Sequence, residues 1–283
     1  MPKRMQSPSS INLYKQCPRR YFYQYILKIK TKPNIHCIRG NIVHSALEKF
    51  FDLEPSALDN KQLKSELASY LKNLFEAYWA RSRNSLVKLD MEPQQIQFYY
   101  EDSVHQLANW LNQFFAQLDK RMNAENPVDF PTAFAQVKPF ARELEFRSQD
   151  LNVRGFVDYI EKKDNKTIVM DYKTSKKFDI TPQYKLQLGI YAALYEEKYG
   201  SPPDQVGIWF LKDKPKIIDV DEDLLKQAKF EIEQIHFSTE SAEISDYPQQ
   251  RSPLCKYSTG QCDFYDMCKP YKSNNNKNLS RFH

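Results

Sequence analysis

The chain has 283 residues, of which 41% are apolar, so it is long enough to bury a substantial core in one large domain or two modest ones. Its 41 basic and 36 acidic residues give a net charge of +5, which favours a polyanionic partner only mildly. The N-terminal region lacks a signal-peptide pattern, and no stretch reaches the roughly eighteen uninterrupted apolar residues of a membrane span. We therefore expect a soluble, cytoplasmic protein that does not bind membranes.

The first half of the chain is predicted to be helical. Apolar and aromatic residues recur at helical spacing over Ser9–Ile29 and again over Gly40–Phe51. The segment Lys61–Asn123 is rich in helix-forming residues and has few helix breakers, which predicts a helical insertion. Its aromatic side chains, such as Trp110 and Phe114, are expected to pack rather than to form a binding surface.

Short strands are predicted after Pro139. Alternating or apolar runs separated by polar turns indicate a meander of three strands, over Phe140–Arg147, Asn152–Glu161 and Thr167–Tyr172. Thr181 and Pro182 then mark the start of a helix that Gly200 closes. Two further strands and a late amphipathic helix follow, over Val206–Leu211, Ile217–Val220 and Asp223–His236. This order predicts a mixed α/β core with a helical elaboration.

Two of the predicted strands end in charged residues. The apolar run Gly155-Phe156-Val157 leads into Asp158, and the next strand ends in Asp171 and Lys173, which project from one face because they are two residues apart. An ionised aspartate at the end of an apolar strand is costly unless a partner such as a divalent cation compensates its charge. A cation held beside a lysine suits phosphodiester hydrolysis. Asp-x-Lys alone is a very weak signal, because such alternation occurs on many exposed strands.

The wider pattern resembles a known family. Gly155-x-x-Asp158 followed by Asp171-Tyr172-Lys173 is similar to the PD-(D/E)XK core of RecB-type nucleases. Upstream, the segment Arg39–Glu48 resembles the histidine motif of that family, and downstream Gln187–Tyr191 matches its Gln-x-x-x-Tyr helix. The resemblance implies a restriction-endonuclease-like mixed sheet flanked by helices and a metal-dependent DNA nuclease.

By the same resemblance, His44, Asp158 and Asp171 would bind Mg²⁺ or Mn²⁺. We expect a preference for manganese, because imidazole binds manganese and suits magnesium poorly. Without the resemblance, His44 would be interpreted as a histidine on a core-facing helix whose hydrogen bonds are satisfied within the protein. Glu145, on the first strand, is a further candidate near the metal that the resemblance does not fix.

Three other residues have roles implied by the resemblance. Lys173 would orient the attacking water or neutralise developing charge. Gln187 and Tyr191 are one helical turn apart and would face the strand ends, where they could hydrogen-bond a phosphate or position Lys173. Core packing is the alternative account of Tyr191.

The five cysteines are not expected to form disulfides in the cytoplasm. Cys255, Cys262 and Cys268 lie in one short segment, and three thiolates there can share a metal centre if a fourth comes from elsewhere, with Cys17 as the candidate. Cys37 is left over, and we interpret it as a small buried hydrophobic residue.

This cysteine layout resembles the iron-sulfur RecB-type nucleases, a group that includes CRISPR-associated RecB-like exonucleases and the AddB-type nuclease. The resemblance implies a 4Fe-4S cluster joining the two ends of the chain, although six residues separate Cys255 from Cys262, a wider spacing than in many relatives. Structural zinc is the alternative, but zinc sites usually show Cys-x-x-Cys pairs, which this sequence lacks. Unligated thiols are the remaining possibility.

Basic residues near the motifs are candidates for DNA binding. Arg19, Arg20, Lys176 and Lys177 would follow the phosphate backbone without reading sequence. The adjacent aromatic residues Tyr21–Tyr23 could stack on bases, which favours single-stranded over duplex DNA, or could pack beneath the cluster.

The functional hypothesis is a DNA exonuclease acting on single strands or DNA ends. One alternative is a non-catalytic iron-sulfur adaptor that binds DNA, and another is a restriction-type endonuclease. The resemblance also suggests a helicase or CRISPR adaptation proteins as partners. We expect one nuclease domain with five parts: N-terminal helices (1–51), a helical insertion (52–138), the catalytic core (139–220), a C-terminal helix with the cysteine segment (221–270) and a disordered tail (271–283).

Overall fold

A computed structural model describes residues 4–58, 62–163, 165–175, 178–257 and 260–269. The fold is mixed α/β, with a central five-stranded sheet flanked by helices, as the sequence predicts. The predicted disordered tail at 271–283 lies outside the described residues. Within the described part of the chain, no helix combines the length and apolar character needed to cross a bilayer.

The sheet follows chain order from edge to edge. Its strands are β1 (Ala141–Ser148), β2 (Val153–Lys163), β3 (Lys166–Lys173), β4 (Gln205–Phe210) and β5 (Pro215–Asp219). The first three strands form an antiparallel meander, which confirms the prediction. β4 runs parallel to β3, and β5 closes the other edge antiparallel to β4.

One face of the sheet is covered by the helix that connects β3 to β4. This helix, α8 (Pro182–Tyr199), starts where predicted, because the Thr181 hydroxyl accepts a hydrogen bond from the Tyr184 amide at 3.3 Å. It ends at Gly200, whose φ of 82° is the left-handed conformation that glycine adopts without strain. The late helix α9 (Glu222–Ser238) packs against α8 and completes this layer.

The opposite face is covered by the insertion together with α3 (Ile35–Phe50). The helices of the insertion are α4 (Leu63–Arg81), α5 (Arg83–Val87), α6 (Pro93–Met122) and α7 (Phe130–Val137). Trp110 and Phe114 of α6 are buried against Phe50 and the strand residues Tyr159 and Tyr172, so the prediction that insertion aromatics pack is confirmed. The insertion therefore supplies much of the hydrophobic core on this face of the sheet.

The N-terminal helix predicted over Ser9–Ile29 is divided into three pieces. These are α1 (Pro8–Gln16), α2 (Pro18–Tyr21) and a π-helical turn at Phe22–Ile26. The break occurs at Cys17, whose φ of −165° is extended, because the following Pro18 disfavours a helical conformation in the residue before it. Pro18 then begins α2, where its missing N–H costs nothing.

Strands β2 and β3 separate at the end where Asp158, Asp171 and Lys173 lie. They pair only from Tyr159 opposite Met170 to the hairpin turn. Before Tyr159, β2 pairs with β1 and not with β3, and beyond Met170, β3 pairs with β4. The N-terminal segment forms a short parallel bridge to β2 between Gln6 and Val153. A gap thus opens in the sheet beside Asp158 and Asp171.

Candidate active site

Asp158 lies where β2 leaves β3, and its two carboxylate oxygens contact different elements. Oδ2 accepts a hydrogen bond from the Tyr172 amide at 2.5 Å, so the side chain replaces a missing partner between the strands. Oδ1 lies 2.9 Å from Nδ1 of His44 on α3. Burial alone would lower the pKa of His44, but the charge and hydrogen bond of Asp158, together with the charge of Asp171, outweigh burial and raise that pKa. The structure therefore brings together two of the predicted site residues from distant parts of the chain.

Asp171 and Lys173 project from the same face of β3, as predicted, and form an ion pair in which Asp171 is buried and Lys173 partly exposed. Lys173 Nζ lies 2.5 Å from Asp171 Oδ2, yet that buried oxygen accepts no well-directed hydrogen bond in the described part of the chain. Burial raises the pKa of Asp171, against the influence of the Lys173 ammonium. Burial alone would lower the pKa of Lys173, but Asp171 reverses the effect and raises it, which keeps the amine protonated.

Gln187 and Tyr191 on α8 reach the other oxygen of Asp171. Gln187 Nε2 donates to Asp171 Oδ1 and to the Tyr191 hydroxyl, both at 2.8 Å, and the hydroxyl lies 3.5 Å from Oδ1. The Tyr191 ring is buried against β2 at Gly155, where a Cβ would lie 2.9 Å from the ring. Tyr191 therefore both packs in the core and faces Asp171, so its two predicted roles are compatible.

Glu143 on β1 is a site residue that the sequence reasoning missed. A ligand atom from each of His44, Glu143 and Asp158 lies within 4.8 Å of the other two. Glu145, the predicted candidate, instead lies 3.7 Å from Arg154. The cause is strand register. Arg142 and Leu144 pair with Tyr159 and Val157, on either side of Asp158, so Glu143 lies level with Asp158, whereas Glu145 pairs with Phe156. No local sequence signal specifies this register.

The backbone and charge at Glu143 are both unusual. Its φ of 45° is left-handed, which is costly for a residue other than glycine and often accompanies functional sites. Partial desolvation and the Asp158 carboxylate raise the pKa of Glu143 to about 7. This carboxyl is therefore only part-ionised near neutral pH, and a bound cation would favour its ionised form.

The donor set fits a divalent cation. Carboxylate oxygens from Asp158 and Glu143 suit Mg²⁺ or Mn²⁺, and the imidazole of His44 favours Mn²⁺. Asp171 Oδ2 adds a buried oxygen without a directed hydrogen bond, 2.5 Å from a lysine amine. An uncompensated cluster of acidic groups in a partly buried site is unfavourable, and a cation would relieve that repulsion.

A second charged network lies behind the site and ties the insertion to β3. Arg39, on α3, is buried and donates to Asp102 of α6 and, at 2.7 Å, to the carbonyl of Thr174, just after Lys173. Lys212 also pairs with Asp102. Burial would raise the pKa of Asp102, but its contacts with Lys212 and Arg39 outweigh burial and lower that pKa.

The four cysteines predicted to share a metal centre lie near one another. Cys17 sits at the break between α1 and α2, and the segment that carries Cys255, Cys262 and Cys268 packs onto the same N-terminal region. The Cys262 amide donates to the Cys255 carbonyl at 3.0 Å. Burial raises the pKa of Cys268, and the neighbouring thiols, Cys17 first among them, raise it further.

The structure decides between the two accounts of the aromatic residues in this region, and it shows that the prediction for Cys37 is wrong. Tyr21, Phe22 and Tyr23 are buried against Tyr247 and Phe264, so they pack beneath the cysteine segment and do not offer faces for bases. Cys37 is exposed on the first turn of α3 rather than buried. Helix α3 starts five residues earlier than predicted, at Ile35, because Asn34 caps it. That start places Cys37 on an outward face.

Of the four residues predicted to bind DNA, Arg19 and Arg20 are among the described residues, and each contacts another part of the protein. Arg19 donates to the carbonyls of Tyr247 and Ile244, at 2.7 and 3.2 Å, so its guanidinium holds the C-terminal segment. Arg20 donates to the side chain of Gln16 at 3.3 Å. The predicted contacts of Lys176 and Lys177 lie outside the described residues.

Comparison with known proteins agrees with this geometry. The sequence matches the family described as the PD-(D/E)XK nuclease superfamily over residues 6–269. A solved structure from Eubacterium rectale, named "Putative exonuclease", is similar with a TM-score of 0.52 and 10% sequence identity, over 97% of this chain and 91% of that one. At this identity the likeness concerns the fold alone.

Another solved structure, SSO0001, has 13% identity over 92% of this chain and 94% of that one, but its TM-score of 0.29 supports no argument. A search of curated proteins finds no significant match.

Proposed function

The chain belongs to the PD-(D/E)XK nuclease superfamily, and from this membership in a family of phosphodiester-hydrolysing enzymes we propose that it is a deoxyribonuclease dependent on Mg²⁺ or Mn²⁺. We propose that it degrades DNA from ends and prefers single strands. The observation that carries the proposal is the convergence of Asp158, Asp171 and His44 beside the Lys173 amine. These groups come from three elements and meet where the sheet opens.

The metal would be held by His44, Glu143 and Asp158, whose ligand atoms lie close together, and Asp171, which is not in that group but interacts electrostatically with Asp158 and His44, would be a further ligand. When bound, the cation would polarise the scissile phosphate and lower the pKa of a water molecule. Asp158 is held in place by the Tyr172 amide, and Asp171 is held by Gln187 through Oδ1. The hydrogen bond from Gln187 leaves Oδ2 of Asp171 directed toward the amine rather than toward α8.

Lys173 would supply positive charge where negative charge develops on the phosphate. Its pKa is raised by Asp171, so the ammonium persists at neutral pH. A partly buried ammonium that an ion pair already orients needs little rearrangement during reaction, which is what makes such electrostatic stabilisation effective. Tyr191, through Gln187, supports the carboxylate that orients this amine.

A non-catalytic adaptor is the weaker hypothesis for a physical reason. A partly buried ion pair such as Asp171 with Lys173 is often no more stabilising than apolar residues of similar volume. A protein without chemistry to perform would gain nothing from the additional cost of placing Asp158 and Glu143 nearby. The arrangement is therefore better explained by cation binding and catalysis.

We also propose that Cys17, Cys255, Cys262 and Cys268 bind a 4Fe-4S cluster. The four thiols lie near one another, and the sequence lacks the Cys-x-x-Cys pairs that are usual in structural zinc sites, which supports iron-sulfur over zinc. The cluster would join the α1–α2 break to the C-terminal segment.

The whole chain would then act as one nuclease domain, 1–283, with the insertion at 52–138 as part of its core. Residues of the insertion contact the sheet through Trp110, and Asp102 contacts Lys212 after β4 and Arg39 on α3. The helicase or CRISPR adaptation partners suggested by the resemblance stay predictions.

The proposal is tested by cleavage of end-labelled linear single-stranded DNA, the matching duplex and closed circular single-stranded DNA, each with Mn²⁺. The wild type should shorten the linear single strand and leave circles intact. Asp171→Asn should be inactive, whereas Asp179→Asn should be active because Asp179 is exposed and pairs with Lys216 away from the site.

Equal degradation by wild type and Asp171→Asn would point to a contaminating nuclease and contradict the proposal. Cleavage of circles that depends on Asp171 would instead identify a restriction-type endonuclease.

A further inference from the structure

A groove of about 470 Å³ opens beside the proposed catalytic residues. One wall contains Lys173, Gln187 and Tyr191, and the other walls come from the start of β2 and from the N-terminal segment. A groove of this volume falls in the range that holds small ligands or one part of a larger one. It is continuous with the site where a scissile phosphate would lie.

The groove exists because β2 and β3 separate. Residues of β2 before Tyr159 have no partner on the β3 side, and the N-terminal segment covers only part of that edge through the bridge from Gln6 to Val153. Arg154 and Phe156 stay exposed in the gap, with 52% of the Phe156 side chain accessible. This end of the sheet is therefore open next to Lys173.

The lining of the groove is cationic. Arg4, Arg154 and Lys173 contribute to it, and no acidic side chain lines it among the described residues. The Arg154 guanidinium lies 3.7 Å from the Glu145 carboxylate, and both side chains are exposed, so this ion pair contributes little and leaves the guanidinium available. Such a groove attracts a polyanionic strand.

Aromatic rings accompany these cations. The exposed ring of Phe156 lies in the groove, and the Arg4 guanidinium sits over the Tyr25 ring with its carbon 4.1 Å from the ring centroid. Exposed aromatic faces beside cations are the arrangement by which proteins bind single-stranded nucleic acids, because bases stack on the rings while phosphates contact the charges. A base stacked inside a duplex cannot present its face in this way.

We propose that this groove binds the substrate strand next to the scissile phosphate, with one unstacked base on Phe156 and its phosphate at Arg154. The inference rests on the proposed nuclease function and specifies its substrate as a single strand. In this proposal a base stacks on the exposed Phe156 ring, and the buried Tyr21–Tyr23 do not contact DNA.

The first test measures binding of a fluorescein-labelled oligothymidylate by anisotropy, with the catalytic metal omitted. Phe156→Ala should weaken binding by about 5- to 150-fold, the range that corresponds to loss of one base-aromatic stack. Phe140→Ala is the matched control, because Phe140 is equally exposed and contacts Lys162, about 20 Å along β2 from Phe156. Binding of a blunt duplex should be the same for all three proteins.

A second measurement locates the base. An abasic site is moved through the oligothymidylate one position at a time, and wild type should lose affinity at one position where Phe156→Ala does not. Arg154→Ala should reduce the slope of log affinity against log salt by about 0.7, the value for one phosphate contact on a single strand. Lys162→Ala, outside the groove, should leave the slope unchanged.

The groove proposal would be overturned if Phe156→Ala bound the single strand as tightly as wild type does. It would also be overturned if the variant lost the same affinity for duplex as for single strand. The nuclease assignment would survive that result if cleavage by wild type still depends on Asp171. Absence of cleavage by wild type would overturn the proposed function itself, so the two failures are distinguishable.

Discussion

The Asp158 carboxylate accepts the Tyr172 amide at the point where β2 and β3 stop pairing. The Asp158 side chain thus bridges β2 and β3 where their backbone pairing ends, and its other oxygen contacts His44. Beyond this contact the strands separate, and Lys173 and Gln187 line the proposed substrate groove that opens there. The predictions that follow depend on this separation of the two strands.

Removing the amine of Lys173 should slow catalysis without abolishing Mn²⁺ binding. We expect Lys173→Met to lower the single-turnover cleavage rate by about 10²- to 10³-fold, the usual effect of losing one preorganised electrostatic donor. Lys185→Met, at an exposed position on α8, is the control and should cleave normally. A Lys173→Met rate within a few-fold of wild type would show that this amine has no part in the reaction.

Adding a methyl group at Gly155 should destabilise the fold. The new Cβ would lie 2.9 Å from the buried Tyr191 ring, and overpacking of this kind costs about 1–3 kcal/mol. Gly40→Ala is the matched control, because nothing lies within 4 Å of its Cβ position and helix α3 should gain up to about 1 kcal/mol. Urea unfolding measures both, and equal stabilities of the two variants would contradict the packing described for Tyr191.

The ion pairs of Asp102 should make stability depend on pH in the acid range. Because its pKa is lowered in the folded protein, Asp102 stabilises the fold above its unfolded pKa of about 4, and this contribution is lost as pH falls through the folded value. The difference in unfolding free energy between wild type and Asp102→Asn should therefore shrink from about pH 6 to pH 3.

Asp119→Asn provides the comparison, because Asp119 lies on the same helix in an exposed pair with Lys64 and should show little difference at any pH. If the difference in unfolding free energy between wild type and Asp102→Asn stayed constant across this range, ionisation of Asp102 would not contribute to stability.

The proposed cluster predicts iron and sulfide in anaerobically purified protein. Cys268→Ser should lose both and unfold at a lower temperature, because the link between the C-terminal segment and the α1–α2 break would be lost. Cys37→Ser should keep both, since Cys37 is exposed on α3. Stoichiometric zinc in place of iron would overturn the cluster assignment.

Much of the fold could be predicted because its signals are local. The meander follows from alternating residues and polar turns, and helix α8 follows from Thr181 at its start and Gly200 at its end. The break at Cys17 was missed because helical spacing continues on both sides of it, although Pro18 marks a new helix start.

The site could be predicted only as far as its motifs extend. Asp171 and Lys173 share a face because they are two residues apart on one strand, and this spacing can be read directly from the sequence. The position of Glu143 depends on register with β2 and on a left-handed backbone, and neither has a local signal. The contact from Arg39 to Asp102 joins residues 63 apart, so it arises only in the folded chain.

Calorimetric titration of Mn²⁺ tests the central claim most directly. Wild type should bind Mn²⁺ at a site that Asp158→Asn loses, while the asparagine oxygen can still accept the Tyr172 amide and preserve the fold. Glu145→Gln should bind Mn²⁺ as wild type does, because Glu145 lies opposite Phe156 and outside the ligand group. Unchanged Mn²⁺ affinity in a folded Asp158→Asn protein would contradict the account.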